Sequence, residues 1–335
     1  MIDTPAGKRL TRVLSALGMP PDVEAVPLES YSNDAWRIGD RIVRVCWRGD
    51  IGRLRREAAV VPLLPPEIPC PEILAAGDDG ELAWTVTRRM PGQGLHAVWP
   101  TLDDGERRKA TAQLADVLRA LHTWQPPEPV RNLLVGHLHS RPTGPEALVG
   151  ADLCPLPVER AQALAAHASP TPGLGLVAAR LAELAGLDPY LEEPQGVVHG
   201  DLHFANLLWD KGRITAVLDF EWVRLGPPDL DLLSLLRSVD WAGSGDAELL
   251  SPQEMTRLLG RLAADYPELF AHTDLAHRLW LYQLAYTVRE LYTWPPAMPD
   301  ETAPDHPVNS LPRFGQGPDH LHGLLTPPHG DRRPG

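Results

Sequence analysis

Cysteine is scarce in this 335-residue sequence: Cys46, Cys70 and Cys154 are three in number and far apart. Isolated thiols build neither a disulfide framework nor a paired-cysteine metal site, so a reducing cytoplasmic compartment is expected. Long uncharged runs are missing from the start, where "MIDTPAGKRLTRVLSALGM" carries charges on a helix-like pattern and has no apolar stretch of signal-peptide or membrane-span type. Basic residues are outnumbered, 31 Lys and Arg against 44 Asp and Glu, giving a formal net charge of -13. That balance disfavours nucleic acid and anionic membrane as partners and favours a cationic small molecule. Apolar residues, at 43%, are plentiful enough to bury a core, and the length suits one large domain or two lobes.

Apolar periodicity sets out the order of elements. "KRLTRVLSALG" places Leu10, Val13, Leu14 and Leu17 on one face of a short helix that Gly18 ends. "DAWRIGDRIVRVCWRG" and "ELAWTVTRRM" alternate like strands, and between them Arg53 to Val61 has helix formers that Pro62 stops. The proline and glycines of "MPGQG", residues 90 to 94, mark a lobe boundary. A helix over Leu102 to His122 follows, with Leu114, Val117, Leu118 and Leu121 on one face. Residues 125 to 158 read as irregular and 159 to 187 as broken helix; helical patterns return at 229 to 242, 251 to 264 and 275 to 292. Ten prolines from Pro295 onward argue for a loose tail.

The chemistry concentrates in "VVHGDLHFANLLWD", Val197 to Asp210. In an extended strand His199, Asp201 and His203 would share one side and could chelate a metal. Gly200 weakens such a strand, and Asn206 is a poor companion for metals that prefer imidazole. As a plain turn, the polar residues would only cap neighbouring elements; a third reading fits the residue types better. Phosphoryl transfer from a nucleotide needs one carboxylate to orient the acceptor hydroxyl, and an amide with a second carboxylate to hold Mg²⁺ against the phosphates. Asn206 follows Asp201 by the five positions of the kinase H-R-D-x-x-x-x-N loop, and "LDFE" at 218 to 221 stands where D-F-G would be, across a hairpin turned at Gly212.

"HGDLHFANLL" followed by "VLDFEW" resembles the aminoglycoside phosphotransferase and choline kinase family of small-molecule kinases. The resemblance implies an α/β protein-kinase-like bilobal fold, with a small antiparallel-sheet lobe over 1–91, a large mainly helical lobe over 92–296 and a Pro-rich tail over 297–335. It implies Asp201 as catalytic base, Asn206 and Asp219 as metal ligands, and His199 and His203 as supports of the loop. "GPPDLDLLSLL" is similar to the family's G-D-P-x-x-D-L-A stretch, which gives Asp231 the task of bracing the loop, with Pro227 in place of the usual Asp. Glu221 and Asp229, with Asp240, Asp246 and Glu248, are candidates for an acidic wall that receives a cationic acceptor.

The small lobe departs from the family pattern. "ESYSNDAWRIG" has no glycine before Gly39, so Ser32 and Asn33 must supply the hydrogen bonds of a phosphate-facing turn. Arg44 stands where a strand lysine is more usual, with Glu57 on the following helix as its candidate partner. Arg88 and Met90 should border the adenine slot through backbone groups. The expected activity is transfer of a γ-phosphoryl group from ATP or GTP, with Mg²⁺, to a hydroxyl of an aminoglycoside-like or other cationic compound. Two other readings remain: a nucleotide-binding pseudokinase, and a metal-dependent hydrolase built on His199, Asp201 and His203.

Overall fold

The computed structural model describes residues 4–30, 33–48, 51–139, 179–180, 183, 196–240, 250–293 and 317–325. Ser32, Cys154, Asp246, Glu248 and nearly all of 159–187 lie outside them.

The first helix, α1 (Pro5–Ala16), starts where the Thr4 hydroxyl accepts from the Gly7 amide at 3.1 Å and Pro5 occupies the first turn. Gly18, at φ 66°, terminates it. Five strands follow: β1 (Val26–Leu28), β2 (Asp34–Ile38), β3 (Arg41–Cys46), β4 (Ile73–Asp78) and β5 (Ala83–Arg88), paired antiparallel in the order β1-β2-β3-β5-β4. Leu10, Val13 and Leu14 of α1 pack with Trp36, Val43, Val45 and Val86 to form this sheet's own core. Helix α2 (Gly52–Val60) lies against β4 and β5. Strands β1 and β4 are absent from the sequence reading. "ILAAGD" has few good strand formers, and it is β5, paired along its length with a register shift at Ile73/Ala75, that makes it a strand.

At residues 89 to 94 the chain leaves one sheet and joins another. The Arg89 amide still donates to Asp40 O at 2.8 Å, whereas Gln93 and Gly94 form β6 and pair with Trp209 and Leu208. Gly92 sits at φ 113°, and a Cβ there would lie 2.8 Å from Trp209 O, so both conformation and space require glycine. After the single turn α3 (Leu95–Val98), α4 (Asp104–Thr123) opens on a capping box between Asp103 and Glu106 and buries Leu114, Val117, Leu118 and Leu121.

Residues 128 to 139, expected to be irregular, form α5 (Glu128–His139), because Val130 and Leu134 are four apart and bury one stripe despite the prolines around them. The large core then gathers β7 (Gly196–Val198), the hairpin β8 (Leu207–Asp210) and β9 (Arg213–Val217), β10 (Arg224–Gly226), α6 (Asp231–Asp240), α7 (Pro252–Asp265) and α8 (Leu275–Thr293). The hairpin turns on Lys211 and Gly212, both at positive φ.

The loose tail also needs correcting. Among its described residues, α9 (Asp319–Leu325) packs on α7 and α8, with Leu321 fully buried and His320 Nε2 3.2 Å from Gln283 Oε1. Proline density hid an i, i+3, i+4 contact set too short to stand out. Leu321→Ala should cost about 2–5 kcal/mol, read as a lower urea midpoint; an unchanged midpoint would mean that the helix is not part of the core.

Candidate active site

Strand β7 runs into His199, Gly200 and Asp201, and a buried carboxylate fixes that exit. Asp231, at the start of α6, accepts from the His199 amide at 2.9 Å and the Gly200 amide at 2.8 Å. His122 Nε2, from the last turn of α4, donates to the same carboxylate at 3.1 Å, while Tyr266 OH lies 3.3 Å from Nδ1. Burial alone would raise the Asp231 pKa. The His122 hydrogen bond, the field of His122 and His199 and the Gly200 amide outweigh it and hold the carboxyl below the ordinary aspartate value. Gly200, at φ 82°, brings the loop so close to the next segment that a Cβ would lie 2.6 Å from Trp222 O.

The two histidines work on the loop itself. The Asp201 amide lies 3.3 Å from His199 Nδ1, which leaves His199 Nε2–H to donate to Leu218 O at 2.9 Å. Both ring nitrogens are engaged and the side chain is fully buried, so His199 is not available as a metal ligand and the metal-hydrolase constellation does not exist. His203 caps the turn at 204 to 206 by accepting from the Ala205 amide at 3.2 Å, and its Nε2 lies 3.8 Å from Asp201 Oδ2.

Asn206 joins the loop to the hairpin. Its Nδ2 donates to Asp201 O at 2.9 Å, and its own carbonyl accepts from the Leu218 amide at 2.8 Å, which sets Asp219 beside it across the hairpin. With Nδ2 so committed, Asn206 Oδ1 is the atom left to ligate, and no donor among the described residues reaches it. Asp219 adopts a left-handed conformation, φ 67° and ψ 55°, and its side chain is 27% exposed. Asp201 is similarly open at 30%; its closest side-chain neighbour besides His203 is Ser234 Oγ, a long contact of 3.5 Å.

Arg44 reaches this point from β3. Its Nη1 donates to both Glu57 oxygens at 2.8 and 2.7 Å, and its Nη2 donates to Asp219 Oδ1 at 2.5 Å and Glu221 Oε2 at 3.0 Å. Burial opposes the charge of Arg44, but Asp219, Glu57 and Glu221 more than offset it and hold the guanidinium protonated. Burial raises the Glu57 pKa, Arg44 pulls it back, and Asp219 and Glu221 push it up again, to about 7. Glu221 is raised as well, by burial and by Asp219 against Arg44. Oxygens of these three carboxylates lie within 4.8 Å of one another and share the charges of Arg44 and of Arg53, whose Nε is 3.5 Å from Glu221, so three acids meet two guanidinium groups, a setting that further positive charge would relieve.

Several expected site residues sit elsewhere. Glu221 does not line an acceptor wall: it is 0% exposed and faces the small lobe, accepting from Asn33 Nδ2 at 2.7 Å. Asp229 is likewise withdrawn. Arg278 Nε donates to it at 2.6 Å and Tyr282 OH at 2.8 Å, buried contacts between the turn after β10 and α8. The Arg88 amide donates to Glu72 O, and its guanidinium lies on the surface with Glu72 and Asp40. Met90 is half-buried where the chain leaves the first sheet. Sequence reasoning missed His122, Ser234, Arg53 and Arg56. A signal existed for the last two, since Arg53, Arg56 and Glu57 recur at helical spacing on α2, and for His122, one turn beyond Leu118 on a core stripe.

A model of the family described as "Phosphotransferase enzyme family" matches residues 24–272. No curated protein matches the chain in sequence. Among solved structures it is similar to the GDP and kanamycin complex of APH(2")-IIia, at 18% identity and a TM-score of 0.66 over 92% of this chain and 99% of that one. A streptomycin–ATP–APH(2")-IIa ternary complex is 14% identical, with a TM-score of 0.61 over 93% of this chain and 97% of that one. A thermostable mutant of aminoglycoside phosphotransferase APH(4)-Ia, in a ternary complex with ADP and hygromycin B, is 18% identical, with a TM-score of 0.53 over 95% and 98%. The likeness is one of fold: the chain has the kinase-like α/β architecture, an antiparallel sheet followed by a mainly helical remainder.

Proposed function

Because this chain belongs to the phosphotransferase enzyme family, we propose that it moves the γ-phosphoryl group of ATP or GTP to a hydroxyl of a small molecule. The observation that carries the reading is the join between loop and hairpin, where Asn206 holds Asp201 O on one side and Leu218 on the other, next to Asp219. In this reading residues 1–91 form the nucleotide lobe, 92–296 the catalytic and acceptor lobe, and 297–335 the tail.

Asp201 orients the acceptor hydroxyl and takes its proton as the oxygen attacks; one O–P bond forms as the bond to the leaving diphosphate breaks. Asp231 and His199 keep that carboxylate's backbone in place, and His203 flanks it. Asn206 Oδ1 and Asp219 suit a hard cation, being oxygen donors beside an excess of carboxylate. Asn206 and Asp219 are the residues that would hold Mg²⁺, which would supply positive charge to offset that of the transferred group. Arg44, whose Nη atoms are held by Glu57, Asp219 and Glu221, supplies positive charge beside the carboxylates of the site. Cytoplasmic residence, where nucleotide is supplied, belongs to the proposal. Among the described residues no helix is long and apolar enough to cross a membrane.

For the acceptor, the first choice is an aminoglycoside-like or other cationic hydroxylated compound. Support comes from the net charge of -13 and from the antibiotics in the similar complexes, and not from Glu221 or Asp229. An ADP and GDP release screen across aminoglycosides, macrolides, peptide antibiotics, choline and sugars tests it. Release with a cationic class is the expected result; release only with neutral sugars would overturn the choice of acceptor. One observation favours a second reading, since Arg44 sits on the carboxylate assigned to the metal. Tight nucleotide binding with no release for any acceptor would favour the pseudokinase.

A further inference from the structure

Four arginines among the described residues are buried: Arg53, Arg56, Arg224 and Arg278. Three of them hold protein oxygens: Arg53 Nη2 donates to Asn33 Oδ1 at 3.2 Å, Arg56 Nη2 to Glu221 O at 3.3 Å, and Arg278 Nε and Nη2 to the two oxygens of Asp229 at 2.6 and 3.2 Å. Arg224 is the exception. It is 1% exposed, and neither its Nε nor its Nη2 meets an acceptor among the described residues. Its neighbours are apolar and buried, Val223 and Leu225 before and after it in the chain and Val198 opposite it in the β7–β10 pair. The two unmatched atoms form one edge of the guanidinium, the edge that takes a carboxylate through two parallel N–H···O bonds. The chain uses that edge elsewhere: Arg9 grips Asp34 with Nε at 2.7 Å and Nη2 at 3.1 Å, as Arg278 grips Asp229. A guanidinium keeps its charge on burial, and a buried charge without a counter-charge is strongly destabilising.

We propose that Arg224 is a binding site for a carboxylate, which it takes side-on through Nε and Nη2. Shape and burial set the class of ligand. A carboxylate is planar, matches the fork and brings one charge for one guanidinium, whereas a phosphate dianion would leave charge over in an apolar setting. Position relates the site to the chemistry, because Val198 stands immediately before His199, Gly200 and Asp201, and Arg224 is thus beside the strand that delivers their loop. The carboxylate is either a free monocarboxylate, enclosed as a counter-ion, or part of a hydroxylated compound that Asp201 would serve. In the first case binding is independent of phosphoryl transfer; in the second it rests on the reading above, and a zwitterion meets both this site and the acidic balance of the chain.

The test is thermal unfolding of the full chain, with sodium acetate, glycolate or phosphate exchanged for sodium chloride at fixed pH and ionic strength. A ligand that binds only the folded chain raises Tm, by about 1–2 °C at about five times its Kd for a chain of this length. The expected result is such a rise with acetate or glycolate, and its loss in Arg224→Met, whose side chain is unbranched and uncharged. In chloride alone Arg224→Met should melt above wild type, since it removes a buried charge that nothing offsets. An arginine with only a structural role would make the variant melt lower, and that result overturns the proposal. So does the absence of a rise with either carboxylate, a rise with phosphate alone, or an undiminished rise in Arg224→Met. A larger rise with glycolate than with acetate identifies the carboxylate as part of a hydroxylated compound, and an equal or smaller one as a free counter-ion; both support the site. Failure of every acceptor in the release screen overturns the phosphotransferase reading and leaves the carboxylate site standing.

Discussion

Asp201→Asn should lower phosphoryl transfer by about 10²- to 10⁴-fold while leaving ATP or GTP binding near its wild-type value. The substitution removes the proton acceptor and little else. Asn has the same shape, and the tie between loop and hairpin runs through the backbone carbonyl of residue 201, which Asn206 Nδ2 holds at 2.9 Å. The carboxylate itself makes only distant contacts, 3.5 Å to Ser234 Oγ and 3.8 Å to His203 Nε2, so an amide there leaves no strong partner stranded. Diphosphate release with the identified acceptor gives the rate, and calorimetry gives the affinity. Undiminished turnover would remove Asp201 from the chemistry. Loss of nucleotide binding together with turnover would give it a different task.

The second large effect concerns stability. Asp231→Ala should destabilise the fold by about 3–5 kcal/mol, the usual result of removing one partner from a buried charged network. Two loop amides and His122 would lose their acceptor inside the core. The milder Asp231→Asn carries a pH signature. In the folded chain the Asp231 pKa is lowered, so the unfolded chain binds the proton more readily. Stability from this group is thus fully present above its unfolded pKa of about 3.9 and is lost as pH falls through the lower folded value. Urea unfolding should find wild type and Asp231→Asn far apart at neutral pH and converging below about pH 3.9. A constant gap across that range would show that the network does not depend on the charge.

How far the sequence could be read depended on the distance over which each contact acts. The spacing of Asp201, Asn206 and Asp219 was legible because a loop and a hairpin join them, and hairpin geometry follows from local turn chemistry at Lys211 and Gly212. Arg44 and Glu57 could be paired on paper for a similar reason, since a strand and the helix after it meet within 13 residues. The partners of Glu221 and Asp229 could not. A buried carboxylate and a solvated one look alike in a sequence, and what separates them here is Asn33, 188 residues away, for the first and Arg278, 49 residues away, for the second. Elements with weak local preference were lost in the same way: β4 is a strand because β5 lies beside it, and α9 is ordered where α7 and α8 offer a socket.

The left-handed backbone at Asp219 narrows the residues this position can accept. The metal-binding role proposed for it asks for a charged oxygen, and a positive φ asks for glycine or for a residue whose short polar side chain tolerates that region, such as asparagine or aspartate. Glutamate, one methylene longer, answers the first demand and not the second; asparagine and glycine answer the second and lack the charge. Aspartate alone satisfies both, so in the proposed role this position has no synonym.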